Sequence, residues 1–116
     1  MHRAGMTLLT GSDLGAPLLV PGFSMHDELE LLVTAAGMTP LQALRAATIL
    51  PARVNGVADS LGSIEQGKLA DIVVLDANPL TDIRNTRKIN AVIANGRLLN
   101  RAALDQILAA AQVAAR

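Results

Sequence analysis

The chain has 116 residues, enough for one core, since domains of about 100 to 150 residues are typical; 51% of its side chains are apolar and 17% charged. Ten basic and ten acidic residues cancel, which excludes disorder driven by charge and electrostatic capture of nucleic acid. With no Cys and Phe23 as the single aromatic residue, disulfides, thiolate metal sites and stacking platforms for single-stranded nucleic acid are excluded as well.

The first predicted element is a buried strand, Met6–Thr10, bounded by glycines and stopping at Gly11-Ser12-Asp13. Leu14 to Phe23, with Pro17 and Pro21, reads as a loop, and a loop of that length inside a compact protein is more often functional than idle. The uncharged run Leu14 to Met25 falls short of the roughly 20 apolar residues that span a bilayer. The N-terminal MHRAGMTLLTG lacks the apolar region of a signal peptide. A cytoplasmic protein that does not enter a membrane is expected.

Ser24 is placed to cap a helix whose first turn carries Asp27 and Glu28 against the positive end of the helix dipole. Leu29, Leu32 and Val33 give its apolar face, Gly37 stops it, and Phe23 is placed to staple onto its first turn. Thr39-Pro40-Leu41-Gln42 has a capping Thr, Pro at the first helical position and Gln at the third. Leu41, Leu44, Ala47 and Thr48 continue this second helix, Pro51 restarts or kinks it, and Gly56 ends the next short one.

The pattern then changes to strands. Leu61–Ile64 and Asp71–Asp76, joined through Gly67, predict a β-hairpin; Asn78-Pro79 breaks it and Thr81–Lys88 is a polar connector. Ile89–Ala94 and Arg97–Leu99 flank Asn95-Gly96, a strong hairpin signal because both residues tolerate positive φ. Asn100 is placed to cap a last helix with Leu104, Ile107, Leu108, Ala111 and Val113 on one face. Gly67-Lys68 lacks the approach and the following Ser or Thr of a phosphate loop and reads as a turn. Asp71 reads as a half-buried structural acceptor, since such a carboxylate needs partners.

Two residues are candidates for chemistry. Asp13, at the end of a predicted strand, is by position alone more often a turn or helix-cap aspartate than a metal ligand, and both readings are open. His26 stands near the start of a helix after a strand-end loop, where a substrate contact and an uninvolved first-turn histidine are both open.

In combination, three stretches resemble the C-terminal part of metal-dependent hydrolases of the amidohydrolase superfamily, in the branch of imidazolonepropionase and Xaa-Pro dipeptidase. They are GSDLGAPLLVPGFSMHDELELLVTAAGMTPLQALRAAT, then LPARVNG, then LGSIEQGKLADIVVLDANPLTDI followed by VIANGRLL. The order Gly-Ser-Asp, Gly-Met-Thr-Pro, Ala-Ala-Thr, Gly-Lys-Leu-Ala-Asp and Asn-Pro-Leu carries the resemblance as a set. It implies an α/β fold class: the last strand and helices of a (β/α)₈ TIM barrel over residues 1–56, part of the flanking small β-sandwich over 57–100, and a C-terminal helix over 101–116.

The resemblance further implies that Asp13 ends the eighth barrel strand as a metal ligand and catalytic proton acceptor. The metal would be a divalent ion, zinc by expectation, and the bond broken the carbon–nitrogen bond of a cyclic amide or dipeptide. His26 would face the mouth of the same site as a substrate contact. The family's remaining ligands, a His-x-His pair, a carboxylated Lys or a Glu, and two further histidines, have no counterpart among His2 and His26. A catalytic zinc needs about three protein ligands. Met1–Gly5 reads as the last turn of a helix before the eighth strand, so the sequence is expected to begin inside a barrel. The chain alone is expected to be an inactive fragment, associating with itself or with a partner that carries the missing barrel portion. A non-enzymatic structural remnant is the alternative.

Overall fold

A computed structural model of the chain describes residues 7–11 and 23–115. Three helices come first. α1 spans Ser24–Thr34, α2 Pro40–Ala47 and α3 Ile49–Val54. Thr39 starts α2 with a reciprocal capping box: its hydroxyl accepts from the Gln42 N–H at 3.2 Å, and the Gln42 side chain accepts from the Thr39 N–H at 2.9 Å. Thr48, at φ −129° and ψ −86°, breaks α2 from α3, and Pro51 falls in the first turn of α3, where a missing N–H leaves no helical bond unmade.

β1 (Ile72–Leu75), β2 (Ile89–Ala94) and β3 (Arg97–Leu99) form an antiparallel sheet in the order β1-β2-β3. Val73 opposes Val92, Val92 opposes Leu99, and an irregularity between Val74 and Leu75 shifts the register at the end of β1. Asn95 (φ 49°) and Gly96 (φ 78°) make the tight turn between β2 and β3. The turn is held from outside, because Asp71 Oδ1 accepts from the Asn95 N–H at 2.6 Å and the Gly96 N–H donates to the Ala70 carbonyl at 3.0 Å. Between β1 and β2 lies a 3₁₀ helix, Ile83–Arg87, capped by Asp82, whose carboxylate accepts from the Arg84 N–H. Asn100 caps α4 (Arg101–Ala114) by accepting from the Ala103 N–H at 3.0 Å, and α4 packs on β2 and β3.

The core is where the helices meet the 3₁₀ helix. Leu29, Ala43 and Ile83 are buried together, with Leu32, Val33, Leu44 and Ala47 packed around them. Gly62 (φ 92°) clamps the following segment onto the α2–α3 junction: a Cβ there would stand 2.8 Å from Ala52 Cβ and 3.0 Å from the Thr48 carbonyl oxygen. A side chain would push this segment off the helices.

Several expectations change. Thr7–Thr10, the described part of the expected first strand, is not paired as a strand; the Thr10 N–H donates instead to the Ala46 carbonyl at 3.2 Å. Leu61–Ile64 is likewise not a strand, so among the described residues three strands stand where five were expected. Both segments are apolar enough for strands, but a strand exists only beside another, and neither has a neighbour among the described residues. The polar connector holds the 3₁₀ helix, and Ile83 turns that helix inward. Ser24 is the first helical residue and buried rather than the cap; Phe23, itself helical in backbone, takes that position at 61% exposure and staples nothing. Asp71 is exposed, though the acceptor role expected of it is the one it fills.

Candidate functional site

Between α1–α3 on one side and β1 with the segment before it on the other lies a hollow of about 900 Å³. Its lining is mainly aliphatic, with Leu29, Leu44, Leu61, Ile72 and Ile89 among the contributors, and His26 and Thr86 stand among the few polar groups. A mostly apolar concavity with a small number of placed polar groups is the usual form of a small-molecule site.

His26 sits in the first turn of α1, which the absence of any break between Ser24 and Thr34 keeps regular. Its Nδ1 lies 3.1 Å from the hydroxyl of buried Thr86, brought there by the 3₁₀ helix. Burial above all, then the neighbouring Arg87 guanidinium, hold the imidazole below its ordinary value of 6.5, while Asp27 opposes them. Arg87 ion-pairs with Asp27 and with Glu30 (3.4 Å), which ties the 3₁₀ helix to α1.

Asp13 and His2 lie outside the described residues. The chain just before Asp13 is anchored twice: Thr10 to the Ala46 carbonyl at the end of α2, and the Gly11 N–H to Glu28 Oε1 at 2.5 Å. Glu28 Oε2 is buried and meets no partner among the described residues. Sequence reasoning treated Glu28 as a helix-dipole residue and missed this role. Its one signal was a carboxylate on a helix directly after the loop that follows Gly-Ser-Asp. His26 and Glu28 stand two residues apart, about 200° around the helix, so α1 turns one toward Thr86 and the hollow and the other toward Gly11.

A divalent metal was expected at this site in the whole enzyme, not in this chain alone. Among the described residues no group of three or more His, Asp, Glu or Cys side chains converges to hold one. His26 and Glu28 turn to different sides of α1 and are two side chains where a metal centre needs about three, so these residues do not fit a metal centre on their own.

Residues 1–99 match the amidohydrolase family. The chain belongs to that family. This amidohydrolase-family chain is 37% identical over 91 residues to the ochratoxinase of Aspergillus niger, a match covering 78% of the chain and 18% of that protein. It is 40% identical over 75 residues to the imidazolonepropionase of Symbiobacterium thermophilum, covering 65% of the chain and 17% of that enzyme. A solved Xaa-Pro dipeptidase with methionine bound in its active site resembles it with a TM-score of 0.76 at 32% identity, over 85% of this chain and 23% of that one. The chain spans less than a fifth of the length of these two curated relatives. The family match runs through Asp13 and His26 and stops at Leu99, the last residue of β3, which leaves α4 outside it.

Proposed function

We propose that this chain belongs to the C-terminal part of a metal-dependent hydrolase of carbon–nitrogen bonds, acting on a small cyclic amide or a dipeptide. In this reading residues 1–56 are the end of a (β/α)₈ barrel, 57–100 are part of its small flanking β-sandwich, and 101–116 are an added C-terminal helix. Asp13 is the metal-site aspartate and proton acceptor, and His26 contacts the substrate. The observation that carries the reading is the anchoring of Gly11 by Glu28 inside a family match that runs through Gly11-Ser12-Asp13. A backbone fixed just before Asp13 is what a barrel enzyme requires of a residue that does chemistry there.

Amidohydrolases typically use divalent metals. The described residues do not fit a metal by themselves, so hydrolysis belongs to an assembly in which other strands complete the site, and no step is assigned to this chain alone. Zinc and a cytoplasmic setting fit the reading; among the described residues no helix is long and apolar enough to cross a membrane.

The test is hydrolysis of an Xaa-Pro dipeptide and of a cyclic amide with zinc present. The 116-residue protein alone is expected to be inactive. Mixed with a polypeptide supplying the earlier barrel strands and their His-x-His pair, it is expected to gain turnover that Asp13→Asn abolishes. Turnover by the chain alone, lost with Asp13→Asn and with chelator, would overturn the assembly requirement. A complementing or purely structural partner role is favoured by one further feature, the apolar surface left exposed on β1 and α4.

A further inference from the structure

Thr86 settles which nitrogen of His26 carries a proton. The Thr86 hydroxyl has one hydrogen, and the Ile83 carbonyl 2.9 Å away, which can only accept, takes it. Toward His26 Nδ1, 3.1 Å away, the same oxygen is left as an acceptor, so Nδ1 must be the donor. A neutral imidazole with its proton on Nδ1 has a bare lone pair on Nε2. No described residue offers Nε2 a hydrogen bond, and His26 lines the hollow together with aliphatic side chains.

We infer that Thr86 locks His26 as the Nδ1–H tautomer, so that Nε2 accepts a hydrogen bond from a ligand carrying an N–H or O–H donor on an apolar body. Thr86 is thereby a positioning residue and His26 the group that touches the ligand. The ligand class follows from the lining: an apolar body fills the space beside Leu29, Leu44, Leu61 and Ile72, and a donor on it completes Nε2, to which no described residue donates. This deepens the substrate role given to His26 above and rests on that reading for the ligand, though not for the tautomer.

The experiment is ¹⁵N NMR of the full chain above neutral pH, with His2→Gln to leave the His26 ring as the sole imidazole signal. A protonated Nδ1 and a bare Nε2 are expected. Thr86→Val should mix the tautomers and Thr86→Ser should restore the lock. An Nε2–H pattern in the His2→Gln protein, or an unchanged pattern in Thr86→Val, overturns the lock. The tautomer is read first with Thr86 in place, so the inference is decided even if Thr86→Val does not fold. Indole and 1-methylindole then serve as probes that share an apolar body and differ in the N–H. Indole is expected to shift the Nε2 resonance and 1-methylindole to leave it; equal responses, or none to indole, overturn the acceptor role. Neither readout needs turnover, so an inactive assembly would sink the hydrolase reading while leaving a locked His26 intact.

Discussion

Glu28 is the side chain whose removal should be felt nearest to Asp13. Its carboxylate, half-buried, holds the N–H of exposed Gly11, and the net contribution of such a bond is about 1 kcal/mol. Glu28→Ala should therefore speed hydrogen exchange at the Gly11 amide by roughly fivefold, while Glu28→Gln, which keeps an acceptor oxygen, should fall between; unchanged exchange in Glu28→Ala would remove Glu28 from the site. His26 gives a second test at this scale. Its folded pKa is held below 6.5, so as the pH falls below 6.5 the unfolded chain binds the proton first. Stability should therefore drop as pH falls from 6.5 toward the lowered folded value, and His26→Gln should flatten that part of a denaturant-midpoint profile. Glu65 and Asp82, whose carboxyls hydrogen bonds to Ser63 and Arg84 respectively hold below their ordinary values of 4.5 and 3.8, act only in a lower window, so the two contributions separate. The sequence marked His26 by its place in a helix. It could not mark Thr86, sixty residues away, because a contact of that separation leaves no local pattern.

At the scale of elements, the legible features were those whose partners sit within a few residues. The Thr39–Gln42 box, the Asn95-Gly96 turn and the Asn100 cap all close on themselves, and all stand in the structure; the helix break expected at Pro51 falls three residues earlier, at Thr48. The strands expected at 6–10 and 61–64 were read from composition, which reports a preference but not a neighbour. Ile83 was hidden for a related reason: one apolar residue in a polar stretch has no periodicity to reveal it. Two glycines give this scale its prediction. Gly96 and Gly62 both have positive φ, so alanine at either costs about 1 to 2 kcal/mol in backbone strain. At Gly96 a Cβ meets nothing within 4 Å; at Gly62 it would collide with Ala52 and the α2–α3 junction. Gly62→Ala should therefore lose about 1 to 3 kcal/mol more than Gly96→Ala, read as denaturant midpoints at constant m-value. Equal losses would mean that the 57–64 segment is not clamped on the helices.

The whole molecule has a thin core and an apolar surface. Ala43 and Ala46 are fully buried, but among the described residues no large side chain is, and α4 buries none of its residues. Ile107 and Leu108 are half exposed and Val113 is 72% exposed, although they lie along a helix that packs on the sheet. Val73 and Val74 are consecutive in β1, so they point to opposite faces of the sheet, and both are exposed, at 54% and 41%. Among the described residues β1 and β3 are also the two edges of the sheet, and an edge strand presents backbone groups open to pairing. A sheet with apolar residues open on both faces and two edge strands is stabilised by adding a neighbour, whether a second copy or the remaining strands of the proposed barrel. Light scattering on the isolated chain should accordingly give a concentration-dependent mass above 12.1 kDa, with a melting temperature that rises with concentration. A lysine on an edge strand opposes such pairing, so Val73→Lys should shift the mass toward the monomer. Adding a polypeptide that carries the earlier barrel strands should replace self-association with a heterocomplex of fixed mass by competing for the surface, and a stable 12.1 kDa monomer with a cooperative, concentration-independent melt would contradict both association and the assembly on which the proposed hydrolysis depends.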